Sequence, residues 1–279
     1  IILVSINNAT KEVRLASVYR DTLTEQVDGK MQKANYAYFA GGPKDAVNML
    51  NKNFDLDISN YVTVDFKALA DVVDLLGGIE VDVTDKEAAE VNNYIDETGS
   101  VAGKKANHLT SGGRQMLDGV QAVTYARIRH NVGGDFKRTE RQRIVITKVA
   151  EKAKTTDLAT INKIIDKVFP QISTSFSLSD LIGLASGALD YEMGDTSGFP
   201  MEAVNGSVKG IGSVVIPVGV AENVQELHAF LYPDEEPKEP SETVEKIAAQ
   251  IEGLTGITRD ELEKSPDSIV RSSHGAAKE

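Results

Sequence analysis

Cysteine is absent from this sequence, and histidine occurs only four times. Without cysteine the chain has no disulfide bond, no thiolate metal site and no cysteine nucleophile. The histidines show no spacing typical of metal ligands. No run of about 18 apolar residues occurs, and no series of charged, apolar and small residues marks a signal peptide. The sequence itself therefore offers no segment that is long and apolar enough to span a membrane.

Positive charge is also scarce. The 279 residues contain 30 lysines and arginines against 42 aspartates and glutamates, which gives a formal net charge of −12. This charge would repel a polyanion unless one local basic patch overcame it, so we expect no nucleic-acid partner. With 41% hydrophobic and 26% charged residues, the chain is long enough to bury a full core in one large domain or two smaller ones.

The two ends of the chain differ in character. The first six residues, IILVSI, have the pattern of a buried strand and no initiating methionine, so we expect the chain to be a piece of a longer polypeptide. From Pro233 the sequence runs PDEEPKEPSE, and few large apolar residues follow Leu254. This composition predicts a linker and a marginally helical or disordered tail. We therefore divide the chain into a domain over residues 1–232 and a tail over residues 233–279.

Hydrophobic periodicity predicts alternating strands and helices. The segments IILVSI and EVRLASVY are predicted to form a hairpin, and strand, helix and strand follow over residues 61–83, with Asp65 as the helix N-cap. An apolar stripe predicts another helix through Met116, Leu117, Val120 and Val123. Later helices are predicted for FKRTERQRIVITKVAEKAK, 157–168, 178–191 and ENVQELHAFLY, with a strand at SVVIPV. The predicted class is α/β, with layers of helices around a central mixed sheet.

Arginine is concentrated in one stretch. ARIRHNVGGDFKRTERQRIVI, residues 126–146, holds five of the ten arginines of the chain. If a helix begins near Asp135, five side chains share one of its faces, polar first and then apolar. They are Asp135, Arg138, Gln142, Val145 and Val149. An aspartate three residues before an arginine can hold the guanidinium group in one orientation, so the pattern predicts a phosphate site that leads into an apolar track.

Two further arginines precede this helix. Arg127 and Arg129 end the helix before it, and the intervening HNVGG allows both pieces to fold around one concavity. The alternative is a solvated helix face with surface ion pairs worth roughly 0.3–0.5 kcal/mol each. That alternative is weakened because Arg138 lies on the apolar face rather than opposite it. Arg143 points elsewhere on the helix and is predicted to be an ordinary surface charge.

Five segments of the sequence carry a resemblance to a known family. They are ILVSINNATKEVRLASVYRD, KANYAYFAGGPKDAVNML, YVTVDFKALADVVDLLGGIEVDV, LDGVQAVTYARIR and DFKRTERQR, which cover most of residues 1–150. In this order they resemble the LytR-CpsA-Psr family of Gram-positive cell-wall proteins, and ENVQELHAFLY is similar to its closing helix. The resemblance implies an α/β sheet with packed helices, a long apolar pocket for a polyprenyl chain, and an arginine-rich mouth that holds the lipid's pyrophosphate.

The resemblance also implies an activity. The family is held to transfer anionic glycopolymers, such as teichoic acid or capsular polysaccharide, from undecaprenyl pyrophosphate carriers onto peptidoglycan, with Mg²⁺. Members work outside the cytoplasmic membrane and are usually anchored by one N-terminal transmembrane helix. Carried onto this sequence, the pyrophosphate ligands are Arg20, Arg127, Arg129, Arg138, Arg141 and Gln142. The catalytic residues are Arg20, Asp135 and Arg138, and the lipid-pocket residues are Val145 and Val149.

Two questions stay open at this point. Asp135 either orients Arg138 or acts as a general base for the acceptor hydroxyl, and we favour orientation. The family's magnesium-binding aspartates lie in a segment before the strand that begins here at Ile1, which leaves Asp21 as a metal candidate and predicts weak transfer by this chain. An alternative function is therefore a binding module that holds polyprenyl phosphate or pyrophosphate lipids, or wall polymers, without chemistry.

Overall fold

The structure, a computed structural model, describes residues 1–130, 134–260 and 269–272. The chain folds as two compact units. Unit 1 is formed by Ile1–Tyr61 and Gly194–Glu279, and unit 2 by Val62–Met193. Among the described residues, no helix has both the length and the apolar character needed to cross a membrane.

Unit 1 combines small sheets with helices. Its strands are β1 (Ile2–Ile6), β2 (Glu12–Val18), β3 (Leu23–Glu25), β4 (Met31–Lys33), β9 (Glu192–Phe199, within which the chain re-enters this unit), β10 (Glu202–Val208), β11 (Gly212–Pro217) and β12 (Val270–Arg271). Its helices are α1 (Ala34–Phe54), α8 (Val220–Leu231) and α9 (Glu242–Thr255). The strands pair in the orders β1–β2–β9, β11–β10–β12 and β3–β4.

The predicted hairpin at the start of the chain is confirmed. β1 and β2 are antiparallel, with a register that runs from Ile2 opposite Ser17 to Ile6 opposite Val13. The turn between them is held by Asn7, whose side-chain oxygen accepts hydrogen bonds from the amides of Ala9 and Thr10 at 2.9 and 3.1 Å. A side chain that replaces a backbone acceptor in this way is typical of tight turns.

The helical spacing of Val47, Leu50 and Phe54 after Pro43 predicts a helix, and α1 is longer than this segment. It begins at Ala34 and is interrupted at Gly41 and Gly42, where the backbone is not helical and Gly42 has a φ of 69°. Glycine accepts this conformation without steric cost, and Pro43 then restarts the helix because its φ is already helical. The first half of α1 shows no apolar periodicity, because its large residues Tyr36, Tyr38 and Phe39 are all exposed.

The segment after residue 232 differs from the predicted tail. Helix α9 is a 14-residue helix, and Val244, Ile247, Ala248 and Ile251 of α9 are buried in the core of unit 1. Ser241 caps the helix, and both its amide and its hydroxyl donate to Asp55 at 2.7 and 2.6 Å. This part of the segment is therefore packed rather than marginal. Residues 261–268 and 273–279 lie outside the described part of the chain.

Unit 2 alternates helices with short strands. Its helices are α2 (Phe66–Leu75), α3 (Asp85–Ala102), α4 (Gly119–Tyr125), α5 (Gly134–Lys154), α6 (Leu158–Val168) and α7 (Leu178–Gly187), with short 3₁₀ turns at Phe169–Gln171 and Ala188–Asp190. Its strands are β5 (Val62–Thr63), β6 (Ile79–Val83), β7 (Gly113–Leu117) and β8 (Ser173–Thr174). The α/β class is confirmed for the chain.

The strand pairs of unit 2 join segments that are distant in the sequence, because β5 pairs with β8 and β6 pairs with β7, both antiparallel. One element boundary differs from the sequence prediction. Met116 and Leu117 belong to strand β7 rather than to a helix. The helix begins later because Asp118 and Gln121 form a capping box, in which each side chain accepts from the backbone amide of the other at 2.9 Å.

The core of unit 2 depends on close approach between α2 and α4. Asp65 caps α2 as predicted, accepting from the amide of Ala68 at 2.7 Å. At the start of α4, a Cβ atom on Gly119 would lie 2.2 Å from the carbonyl oxygen of Ala70. Only glycine therefore permits this contact. The contact packs the start of α4, the helix that precedes the arginines, directly against the backbone of α2.

Candidate functional site

The arginine-rich stretch joins α4 to α5 in unit 2. Helix α5 begins at Gly134, so the predicted start near Asp135 is confirmed. The amide of Gly134 donates to the carbonyl oxygen of Arg129 at 3.0 Å, which ties the two ends of the connection together. Residues 131–133 of the predicted HNVGG connection lie outside the described residues. Asp135 in the first turn complements the positive end of the helix dipole.

Asp135 binds two arginines at once. Its Oδ1 atom lies 2.7 Å from Arg138 Nη2 and accepts from Arg129 Nε at 3.0 Å, with a further hydrogen bond from Arg129 Nη2. The exposed fractions of the Arg129, Arg138 and Asp135 side chains are 35%, 15% and 23%. Two guanidinium groups thus share one carboxylate. The structure brings together three predicted site residues as a half-buried group.

Arg127 is held by a different set of partners. Its Nη1 donates to the Thr98 hydroxyl at 2.7 Å, and its Nη2 donates to Glu97 at 3.3 Å. Its guanidinium carbon lies 4.4 Å from the centre of the Phe66 ring, within the range of a cation–π contact. Arg127 is therefore oriented by α2 and α3, independently of Asp135.

The side chain of Arg141 is buried and contacts groups of unit 2. Its side chain is only 4% exposed, and its Nε donates to Glu87 at 2.6 Å while its Nη1 donates to the carbonyl oxygen of Ile128 at 3.1 Å. Its guanidinium carbon also lies 5.9 Å from the Tyr125 ring centre. The guanidinium group is thus bound by groups of unit 2, and the role of Arg141 as a pyrophosphate ligand stays a prediction.

The burial of Arg143 corrects a sequence prediction. The residue is only 2% exposed, whereas the helical wheel predicts an ordinary surface charge. Thr139 and Thr147, one turn away on either side of it, are buried as well. Helix α5 is therefore covered on a second face beside the one that carries Arg138. A helical wheel gives the direction of a side chain but not which faces are covered.

The apolar continuation of the α5 face is present. Gln142 lies between the two parts and donates to the carbonyl oxygen of Ala126 at 3.4 Å. Val145 is 1% exposed and belongs to the core of unit 2, and Val149 packs against that core. The order of polar and apolar residues along the face agrees with the prediction. Contact between these valines and a lipid chain stays a prediction.

Arg20 and Asp21 lie in unit 1, directly after β2. Arg20 is exposed, and its carbonyl oxygen accepts from the amide of Asn35 in the first turn of α1 at 3.1 Å. Asp21 Oδ1 lies 3.5 Å from both Arg20 Nε and Lys33 Nζ. The Arg-Asp pair is thus fixed to the start of α1, and the role of Arg20 as a pyrophosphate ligand stays a prediction.

The described residues contain no group of three or more histidine, aspartate or glutamate side chains that could hold a metal ion. The candidate ligand Asp21 lies beside two cationic side chains. Its role as a metal ligand stays a prediction, because Mg²⁺ is usually bound by one or two carboxylates together with water and phosphate oxygens.

Three residues beside the predicted site were not found from the sequence. They are Phe66, Glu87 and Thr98. The spacing Thr84-x-x-Glu87 matches a capping box and identifies Glu87 as a helix cap, but its pairing with Arg141 spans 54 positions and leaves no local pattern. Phe66 and Thr98 follow no periodicity that points to Arg127.

Comparison with known proteins identifies relatives. The transferase TagV of Bacillus subtilis (strain 168), named as a polyisoprenyl-teichoic acid–peptidoglycan teichoic acid transferase, is 30% identical over 189 residues. The aligned part is 66% of this chain and 46% of TagV, and the chain spans about half the length of the curated relatives it matches.

Solved structures share the fold. A structure described as a transcriptional regulator from Enterococcus faecalis has a TM-score of 0.72 at 25% identity, covering 91% of this chain and 89% of the other. TagT of B. subtilis has a TM-score of 0.61 at 20% identity, covering 92% and 85%. The model of the LytR_cpsA_psr family matches residues 1–227, which is most of the sequence. This chain belongs to the LytR_cpsA_psr family.

Proposed function

We propose that this chain carries the site of a phosphotransferase that moves an anionic glycopolymer, such as teichoic acid or capsular polysaccharide, from an undecaprenyl pyrophosphate carrier to peptidoglycan. TagV is named for transfer of teichoic acid to peptidoglycan, and one structure of TagT is described as bound to LI-WTA. Family membership supports the same class of activity here. The substrates place the proposed reaction at the outer face of the cytoplasmic membrane of a Gram-positive bacterium.

The observation that carries the proposal is the shared carboxylate of Asp135. It holds the guanidinium groups of Arg129 and Arg138 side by side, at the polar end of an α5 face that becomes apolar at Val145. A pyrophosphate joined to a prenyl chain has the same order of charge and hydrocarbon. Arginine presents planar donors that match phosphate oxygens, and prior orientation lowers the entropy lost when the ligand binds.

In the proposed reaction, a hydroxyl oxygen of peptidoglycan attacks the phosphorus that bears the glycan. A new P–O bond forms, the bond from that phosphorus to the bridging oxygen breaks, and polyprenyl phosphate leaves with that oxygen. The hydroxyl proton passes to solvent. Negative charge increases on the leaving phosphate, and fixed arginines stabilise it without a protein nucleophile. We assign this role to Arg129 and Arg138, with Arg127 as a further ligand.

Dependence on Mg²⁺ stays a prediction. Its test is transfer by the full-length protein in the presence of a chelator, with Mg²⁺ added back. The proposed step uses the arginine side chains alone.

The proposal is tested with Arg138→Ala in the full-length protein. The assay follows labelled teichoic acid on an undecaprenyl pyrophosphate carrier as it becomes attached to peptidoglycan. Loss of one fixed cationic donor is expected to slow transfer roughly 10²-fold. The matched control is Arg114→Ala, since Arg114 is an exposed arginine of the same unit that pairs with Glu80 on the neighbouring strand. The control is expected to transfer at the wild-type rate.

Two outcomes would contradict the proposal. Transfer by Arg138→Ala at the wild-type rate would show that the reaction does not use this cluster. A wild-type protein that binds the carrier lipid but releases no polyprenyl phosphate would instead be the binding module considered from the sequence.

A further inference from the structure

A buried ion pair holds the backbone between the two arginines that follow α4. Arg141 Nε donates to Glu87 Oε1 at 2.6 Å, and Arg141 Nη1 donates to the carbonyl oxygen of Ile128 at 3.1 Å. The side chains of Glu87 and Arg141 are only 14% and 4% exposed. The pair therefore connects the first turn of α3, through α5, to the backbone that joins Arg127 to Arg129.

Glu87 is itself fixed on its other side. Its Oε2 atom accepts from the amide and the hydroxyl of Thr84 at 3.0 and 2.9 Å, in the capping box of α3. Burial alone would raise the pKa of Glu87, but the hydrogen bonds from Arg141 and Thr84 outweigh burial and hold that pKa below its ordinary value of 4.5. Glu87 is thus a rigid, charged acceptor rather than a group that exchanges protons near neutral pH.

Ile128 is held at two points. Its side chain is 2% exposed in the core of unit 2, and its carbonyl oxygen is bound by Arg141. The flanking side chains of Arg127 and Arg129 are 28% and 35% exposed. Any shift of Ile128 therefore moves both arginines relative to α5, which carries Asp135 and Arg138.

We propose that Glu87 and Arg141 are positioning residues that set the spacing between Arg127, Arg129 and the start of α5. The ligand in this inference, a pyrophosphate group, rests on the proposed function, whereas the positioning itself rests on the contacts of Glu87 and Arg141. A lysine cannot replace Arg141, because one ammonium group does not reproduce the planar set of donors that contacts Glu87 and Ile128 together. Small displacements of binding groups have large effects on bound phosphates.

The test compares Glu87→Gln and Arg141→Lys with Asp71→Asn in this chain. Asp71 is a matched control, because it is a 2% exposed carboxylate of the same unit, bound by Lys67 and Lys104 at 2.9 and 2.7 Å. Three properties are measured for each variant. They are the thermal midpoint of unfolding, the affinity for inorganic pyrophosphate, and the NMR signals of the Nε–H groups of Arg127 and Arg129.

The two positioning variants are expected to lose affinity for pyrophosphate by roughly 10- to 100-fold and to shift both arginine signals. Asp71→Asn is expected to lower the unfolding midpoint and to leave affinity and signals unchanged. Glu87→Asp keeps the charge but shortens its reach, so it is expected to shift the signals less than Glu87→Gln. If Glu87→Gln does not fold, Glu87→Asp and Arg141→Lys provide the comparison.

Three outcomes would count against a proposal. Unchanged affinity and unchanged arginine signals in Glu87→Gln and Arg141→Lys would overturn the positioning role. Equal losses of affinity in Asp71→Asn would show that the effect is general destabilisation. A wild-type chain that binds no pyrophosphate would contradict the proposed function, while the arginine signals would still decide whether Glu87 and Arg141 position this segment.

Discussion

At the residue scale, the geometry of Asp135 favours orientation over proton transfer. Its Oδ1 atom already accepts hydrogen bonds from Arg129 and lies within ion-pair distance of Arg138. A general base must present a free oxygen to the proton that it abstracts, and two guanidinium groups compete for this one. Asp135 is therefore placed to fix two arginines relative to each other.

Replacement of Asp135 separates the two roles. Asp135→Asn keeps the shape but removes the charge shared by Arg129 and Arg138, so we expect pyrophosphate affinity and the transfer rate to fall together, each by about tenfold. Affinity is measured with inorganic pyrophosphate, and transfer with the labelled glycopolymer. Glu140→Gln, a change on the same helix that removes the ion pair with Lys137, serves as the control. Lost transfer with unchanged affinity would identify Asp135 as the general base.

The same residues show what the sequence can establish about the site. The contact between Asp135 and Arg138 follows from a spacing of three along one helix, so the pattern alone predicts it. The pairing of Arg141 with Glu87 depends on how α3 packs against α5, which no local pattern encodes. The burial of Arg143 has the same cause, because it depends on what covers the second face of α5.

At the element scale, prediction succeeds where periodicity and caps agree. The β1–β2 hairpin and α5 follow from regular apolar spacing, and the start of α2 follows from Asp65. Prediction fails at β7 and α4, where one apolar stripe crosses a strand and a helix and only the Asp118 capping box marks the boundary. The pairing of β5 and β6 has no local pattern, because their partner strands lie far from them in the sequence.

Helix α9 shows how composition can mislead. The run PDEEPKEPSE and the small number of large apolar residues indicate a tail, yet Val244, Ile247 and Ile251 are each at most 2% exposed. They repeat at spacings of three and four, which is sufficient for one buried helical face. Hydrogen bonds from Ser241 to Asp55 attach the start of α9 to the end of α1.

A single substitution tests whether α9 belongs to the core. Ile247→Ala removes a side chain that is 1% exposed, so the free energy of unfolding is expected to fall by about 2–4 kcal/mol. Urea unfolding measures the change. Lys246→Ala, on the exposed face of the same helix, is expected to change it by less than about 0.5 kcal/mol. An Ile247→Ala variant as stable as the wild type would show that the helix is marginal in solution, as the composition indicates.

At the scale of the whole molecule, an excess of acidic residues coexists with an arginine cluster because the cluster is paired locally. Arg127 contacts Glu97, Arg129 and Arg138 share Asp135, and Arg141 pairs with Glu87. These pairs hold the arginines in place, while the chain carries −12 overall. Such an arrangement favours a small anionic group over a long polyanion.

Another charge network links separate elements of unit 2. Asp71 of α2 is 2% exposed and lies within 3.1 Å of three lysines. These are Lys67 in the same helix, Lys104 after α3 and Lys167 in α6. Burial tends to raise the pKa of Asp71, but the hydrogen bonds from the lysines and Gln171 outweigh burial and hold that pKa far below its ordinary value of 3.8. The folded state therefore favours the ionised carboxylate much more than the unfolded state does.

The direction of this shift predicts how stability depends on pH. Because the pKa of Asp71 is lowered on folding, its contribution is complete above pH 3.8 and is lost as the pH falls below that value toward the pKa of the folded state. Asp71→Asn should lower the free energy of unfolding by about 1–3 kcal/mol at neutral pH, with the exposed lysines limiting the loss. Denaturant unfolding across the acid range should show the wild type and the variant converging below pH 3.8. Asp82→Asn, at an exposed position of β6, is the control, and it should show no such convergence. A difference between the wild type and Asp71→Asn that stays constant with pH would contradict the assignment to the carboxylate of Asp71.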